Sequence, residues 1–132
     1  MFDRPCEGIA TDAAHSIKRE VTEYQAVDVA TGKRLFYRNI GNQTVNVGEF
    51  LAVVKAIKYI IENDFQPRRI FTDSITALTW IHNKQTASKK KNKDLKKAEV
   101  FLKAFAYDVD TIEVIHWDNR KWGETPADFG NK

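Results

Sequence analysis

A chain of 132 residues that is 42% hydrophobic and 30% charged is long enough for one buried core and too apolar to stay disordered. Its net charge of +3 and pI near 9.0 are only mildly basic, and no apolar run approaches the ~18 residues that suggest a membrane span. Cys6 is the only cysteine, which excludes an internal disulfide and a cysteine-built zinc cluster, and Met1-Phe2-Asp3-Arg4-Pro5 lacks the apolar centre of a signal peptide, so a cytoplasmic location is expected.

Residues 8–14, Gly8-Ile9-Ala10-Thr11-Asp12-Ala13-Ala14, form a short apolar run ending in small residues and predict a buried strand. Val21, Val27 and Val29 share the odd positions of an extended second strand. Thr31-Gly32-Lys33 supplies a turn, and Leu35-Phe36-Tyr37 restarts a strand rich in sheet-favouring residues. These three pieces predict an antiparallel meander.

The period changes over residues 48–63. Phe50, Val54, Ile57 and Ile61 recur at helical spacing, with Lys55, Lys58 and Glu62 on the other side, and Asn46 or Gly48 is the expected cap. Arg69 to Asp73 reads as a strand, and Ser74 to Trp80 as a short helix. Leu95, Ala98, Leu102 and Phe105 mark another amphipathic helix. Thr111 to Trp117 is the last predicted strand, and Pro126 suits the first turn of a terminal helix. A meander followed by alternating helices and strands predicts a mixed α/β domain, with a five-stranded mixed sheet and helices on its faces. Without a repeat or linker, one domain over residues 1–132 is expected.

Seven of the 21 lysines and arginines fall between Lys84 and Lys97, with Lys89, Lys90 and Lys91 consecutive. Such a run attracts a phosphate backbone by displacing counterions; its ordinary reading is a solvated loop and helix start.

Four acids stand at element boundaries. Asp12 closes the first apolar run, Glu49 opens the first strong helix, Asp73 ends a strand where a helix begins, and Asp128 lies in the first turn of the predicted terminal helix. Singly, each has an ordinary reading as a turn cap or a helix-dipole partner. Ligands of parallel sheets gather beyond the carboxyl ends of the strands, where Asp12 and Asp73 could share an edge. Clustered carboxylates repel one another unless cations are present, and an all-oxygen site suits Mg²⁺ or Mn²⁺. Two such ions ~3.5–4 Å apart activate water and stabilise a leaving oxygen.

Gly8-Ile9-Ala10-Thr11-Asp12, Gly48-Glu49-Phe50-Leu51-Ala52, Phe71-Thr72-Asp73-Ser74 and Trp122 to Gly130 (WGETPADFG) resemble, in order and spacing, the motifs of type 1 ribonucleases H. The resemblance covers the chain from about residue 8 to residue 132 and is nearest the bacterial branch that lacks a basic helical protrusion. It implies the ribonuclease H-like fold and an endonuclease that cuts the RNA strand of RNA·DNA hybrids. On that resemblance Asp12, Glu49, Asp73 and Asp128 hold two Mg²⁺ ions, with Mn²⁺ as a substitute. Asp12 bridges them, Glu49 holds the ion nearer the leaving group, and Asp73 and Asp128 share the remaining ligation. Water activated there attacks the phosphate in line and leaves 3′-hydroxyl and 5′-phosphate ends. The hybrid is the implied partner, and the chain is expected to act as a monomer without a membrane.

Relatives often carry a histidine in the loop before the last helix; none stands between Asp118 and Thr125 here. In the similar branch an acid four residues before the last ligand assists metal handling and product departure, which implies Glu124. Thr44 and Asn46 match a segment that contacts nucleic-acid backbones, and Ser88 matches a member of a phosphate pocket. Departures also occur. Val45 replaces a polar residue, Ile75 follows Asp73-Ser74 in place of an amide, and Ala13 to Lys18 replaces a glycine-rich turn. Trp80 and Trp117 read as core residues and Trp122 as an anchor for its loop. The competing readings are a catalytically silent module of the same fold that binds nucleic acid or a subunit, a recombinase of the same fold, and an interaction domain with incidental acids. A silent module usually lacks a metal carboxylate, a recombinase normally needs a longer chain, and incidental acids leave the ordered motifs unexplained.

Overall fold

The computed structural model describes residues 4–88 and 92–129. Five strands form one sheet in the order β3-β2-β1-β4-β5. β1 (Ile9–Ser16), β2 (Val21–Asp28) and β3 (Arg34–Asn39) make the antiparallel meander. β4 (Arg69–Thr72) pairs parallel to β1, and β5 (Glu113–His116) parallel to β4. Parallel pairing requires crossovers, which the intervening helices supply. Among the described residues no helix is long and apolar enough to cross a membrane.

Alternation along the strands sends neighbouring side chains to opposite faces. Ile9, Ala26 and Ile70 join the core beneath the helices, whereas Ala10, Val27 and Phe71 join Trp117 and Ala127. The helical face is built mainly by α1 (Val45–Asn63), whose Val47, Phe50, Val53, Val54, Ile57 and Ile60 are buried. Phe50 meets Trp80 of α2 (Ile75–Asn83) edge to face, with ring centroids 5.6 Å apart. Burying a side chain of that size contributes roughly 1.5–3 kcal/mol. Leu95, Ala98 and Leu102 of α3 (Lys93–Ala104) close this core.

Several boundaries differ from the sequence expectation. α1 begins at Val45, and its cap is Thr44, whose side chain accepts from Val47 N; neither Asn46 nor Gly48 caps it. The apolar stripe extends back to Val47, so packing draws the extra turn into the helix. Glu49 is therefore the fifth helical residue and lies within the helix. Phe105 ends α3 as its cap and is exposed, and a short α4 (Ala106–Asp110) follows. β5 starts later than Thr111 because that side chain turns back to donate to Asp108 O. The helix expected from Pro126 is absent among the described residues. Asp128 N donates to Thr125 O at 3.0 Å in a turn, and Ala127 O accepts from Gln25. Phe129 is followed in the sequence by Gly130 and Asn131, residue types of low helix propensity. A short α5 (Asn119–Trp122) precedes this turn, and Trp122 packs on Trp117 and Phe71 as the loop's anchor.

Gly48 sets how closely α1 approaches the meander. A Cβ there would meet Thr22 Cγ2 at 2.9 Å and Ala13 Cβ at 3.1 Å. Thr22 is fully buried and hydrogen-bonded to His15 and to the Gln43 carbonyl, so it has little freedom to move. Gly48→Ala should therefore destabilise the protein by about 1–3 kcal/mol from overpacking. This outweighs the ~1 kcal/mol that alanine gains in helix propensity. Urea denaturation measures the balance, and a more stable alanine variant would refute the close-approach argument.

Candidate active site

β1 and β4 pair only through Ile9 with Ile70 and Ala10 with Phe71. Asp12 lies two residues past Ala10 within β1, and Asp73 two residues past Phe71, directly after β4. Glu49 reaches the same place from α1. One carboxylate oxygen from each of Asp12, Glu49 and Asp73 lies within 4.8 Å of the others. Asp12 and Glu49 are buried and Asp73 is half-buried.

Glu49 is the acid under most strain. Its Oε1 is buried without a hydrogen-bond partner. Burial pushes its carboxyl up to about 9, the charges of Asp12 and Asp73 push in the same direction, and a hydrogen bond with Asp73 adds to the rise. The Ala13 backbone N–H donates to Glu49 and offsets part of this. Three acids are thus held where water cannot fully solvate their charge. Hard divalent cations relieve both the repulsion and the unpaired oxygen, so the donor set fits Mg²⁺ or Mn²⁺.

Around this group, Asn119 Nδ2 donates to Asp73 Oδ2 at 3.2 Å. Gln25 pairs in register with Asp12 and sends its amide to Ala127 O at 2.6 Å, with Asp128 O at 3.5 Å. A cavity of about 350 Å³ lies beside the N-terminus of α1, with His15, Gln43, Thr44, Ser88 and Asn92 among its lining residues. Its wall is braced by Asn92 Nδ2 donating to Gln43 Oε1 and by Thr22 donating to the Gln43 carbonyl. Because the Thr22 hydroxyl is used as a donor there, its oxygen accepts from His15 Nδ1 at 2.7 Å, which assigns the ring proton to Nδ1.

The family model for RNase H matches residues 7–122. The chain belongs to the ribonuclease H family. That membership makes it a ribonuclease H by class and an enzyme. Solved structures with the same fold include LC11 RNase H1 in complex with RNA/DNA hybrid, at 18% identity and TM-score 0.57 over 86% of each chain. The N-terminal RNase H domain of rv2228c from Mycobacterium tuberculosis has 18% identity and TM-score 0.52, covering 85% of this chain and 81% of its own. RNase H1 from Halobacterium salinarum NRC-1 has 17% identity and TM-score 0.51, covering 82% and 80%. At these identities the likeness is one of fold. The match to the family model ends at Trp122 and so does not include Glu124 or Asp128.

In this ribonuclease H the structure brings together three of the four expected ligands. Asp128 is exposed and lies outside the group of three, although Gln25, the strand partner of Asp12, reaches its backbone carbonyl. Glu124 is exposed on the bend after α5. With the terminal helix absent among the described residues, one helical turn does not relate it to Asp128. Thr44 and Ser88 share the cavity wall, Asn46 is exposed in the first turn of α1, and Lys89, Lys90 and Lys91 lie outside the described residues. Asn119 and Gln25 escape the sequence reading because nothing in their local pattern marks them. Asp118-Asn119 looks like turn chemistry, and Gln25 is one polar residue in a strand.

The raised Glu49 carboxyl has a definite pH signature. Below its ordinary value near 4.5 the acid is neutral in both the folded and unfolded chain, and it costs nothing. As pH rises from there toward 9, the unfolded chain releases the proton and the folded chain retains it, so stability falls. In metal-free protein, Glu49→Gln is expected to raise Tm by at least ~3 °C at about pH 8 and much less at about pH 5. Added Mg²⁺ should stabilise the parent more than this variant at the higher pH. Equal Tm differences at both pH values would contradict the argument.

Proposed function

We propose that this ribonuclease H hydrolyses the RNA strand of RNA·DNA hybrids at the Asp12–Glu49–Asp73 group, leaving 3′-hydroxyl and 5′-phosphate ends. The observation that carries the proposal is the buried, unpartnered oxygen of Glu49 inside a carboxylate triad just past the last parallel pair of β1 and β4. The LC11 RNase H1 complex with an RNA/DNA hybrid supports the substrate class. When bound, divalent cations neutralise the carboxylates and the transferring phosphate and make water acidic enough to attack it.

Asp12, Glu49 and Asp73 would hold the ions, and Asp128 would join them from the turn that Gln25 secures. Thr44, Asn46 and Ser88 would take the nucleic-acid backbones along the N-terminus of α1 and its neighbouring cavity. The 2′-hydroxyls of the shallow hybrid groove distinguish RNA from DNA. Lys89, Lys90 and Lys91 would add attraction for phosphates. Hydrolysis adds water at phosphorus, breaks the P–O3′ bond and returns a proton to the departing 3′-oxygen. No side-chain nucleophile is required. A silent binding module of the same fold has less support, because the three clustered carboxylates are all present.

Asp12→Asn and Asp73→Asn should each abolish cleavage of an RNA·DNA duplex in Mg²⁺ while leaving the fold and most hybrid binding unchanged. Parallel assays on RNA·RNA and DNA·DNA duplexes check the substrate class, and near-normal turnover by either variant would remove these acids from the centre. Glu124→Gln is expected to slow multiple-turnover cleavage more than single-turnover cleavage, as slow product departure would require. Equal rates in both regimes to those of the parent would make Glu124 an ordinary surface acid.

A further inference from the structure

We propose that Asn119 is a positioning residue for the metal ligand Asp73; this rests on the metal-dependent reading above. Its side-chain amide donates to Asp73 Oδ2 at 3.2 Å, which restrains the rotation of a carboxylate that must aim its other lone pairs at a cation. Ligating carboxylates are commonly held by such outer hydrogen bonds, whose loss costs about 10–100-fold in metal affinity or activity.

The amide is itself held in place by three independent attachments. Trp117 N donates to Thr72 O at 2.7 Å, tying the segment before Asn119 to the residue before Asp73. The buried Trp117 ring packs on Phe71 and Trp122, and its Nε1 donates to Gly123 O at 2.9 Å, closing the loop on its far side. Between these anchors, Asp118 caps α5 by accepting from Arg120 N and Lys121 N, while Asn119 O accepts from Gly123 N. The helical turn that follows the last strand thus carries Asn119 at a set distance from the end of β4.

This arrangement gives the loop a task toward the metal site even though it has no histidine. An amide has a fixed donor and no charge change in the working pH range, so Asn119 cannot serve as a proton carrier; it can hold Asp73 still. The bond lies at an exposed position, where water competes for both partners and the net contribution to folding is small. Its expected effect is therefore on metal binding and on the catalytic rate more than on the stability of the metal-free chain.

The test is Mn²⁺ binding by calorimetry to the full chain, alongside hybrid cleavage over a range of Mg²⁺ concentrations. Asn119→Ala should weaken Mn²⁺ binding about tenfold, raise the Mg²⁺ concentration for half-maximal rate by a similar factor and lower kcat, with KM for the hybrid nearly unchanged. Asn119→Asp, which removes the donor and places a second acid against Asp73, should be worse than alanine. Asn119→Gln keeps the amide and should recover part of the loss. The inference is overturned if Asn119→Ala binds Mn²⁺ as the parent does, or if its defect matches a loss of metal-free Tm that Asn119→Gln fails to restore. Failure of the parent itself to bind Mn²⁺ or cut hybrid would overturn the metal-dependent reading as well, and so is separable from failure of the Asn119 assignment alone.

Discussion

Glu49 is buried against two other acids because α1 packs almost in contact with the first hairpin. Gly48 has no side chain to hold the helix away from Ala13 and Thr22, so the next residue is carried up to Asp12 and Asp73, past the last β1–β4 pair. There Glu49 receives the Ala13 N–H, keeps one oxygen without a partner and faces Asp12 and Asp73. A fold normally avoids such a placement, since each part of it opposes burial of charge. The stress is confined to a site that a divalent cation relaxes, and the large core under α1 supplies the stability that tolerates it.

The two faces of the sheet contribute differently to this site. The helical face is a broad aliphatic and aromatic core that fixes the axis of α1. The opposite face is smaller and depends on Phe71, Trp117 and Trp122, whose rings meet edge to face. That small cluster anchors the loop that brings Asn119 to Asp73. Ala127 joins it from the turn before Asp128, and Gln25 reaches through to the same turn. Aromatic packing and one buried amide thus place the polar groups flanking the triad.

On the other flank, Thr22, Gln43 and Asn92 connect the hairpin, the approach to α1 and the start of α3. The cavity holding Thr44 and Ser88 is therefore formed by elements braced against one another and against β2. Because Thr22 also contacts the surface that Gly48 must clear, the geometry of the cavity and that of the triad share one buried side chain. The proposed backbone contacts and the proposed metal ligands are mechanically linked through it.

Local patterns in the sequence determined much of this. The period-2 and period-3.6 stripes encode which face of each strand and helix is buried, and from them follow the meander, α1, β4, α2, α3, β5 and the mixed sheet. The order of the acid-bearing motifs identified the family independently of any coordinates. Boundaries shifted where side chains capped their neighbours, at Thr44 and Thr111, and among the described residues Thr125 to Asp128 form a turn in place of the expected terminal helix. Only the tertiary structure decided that Glu49 is buried with an orphaned oxygen, that Asp12 and Asp73 meet it while Asp128 stands outside, and that Asn119 holds Asp73 from 46 residues away. The physical reason is range. Side-chain periodicity reports how a segment meets its immediate surroundings, whereas desolvation, repulsion and hydrogen bonding at this site depend on how closely distant segments approach, and a single glycine sets that distance.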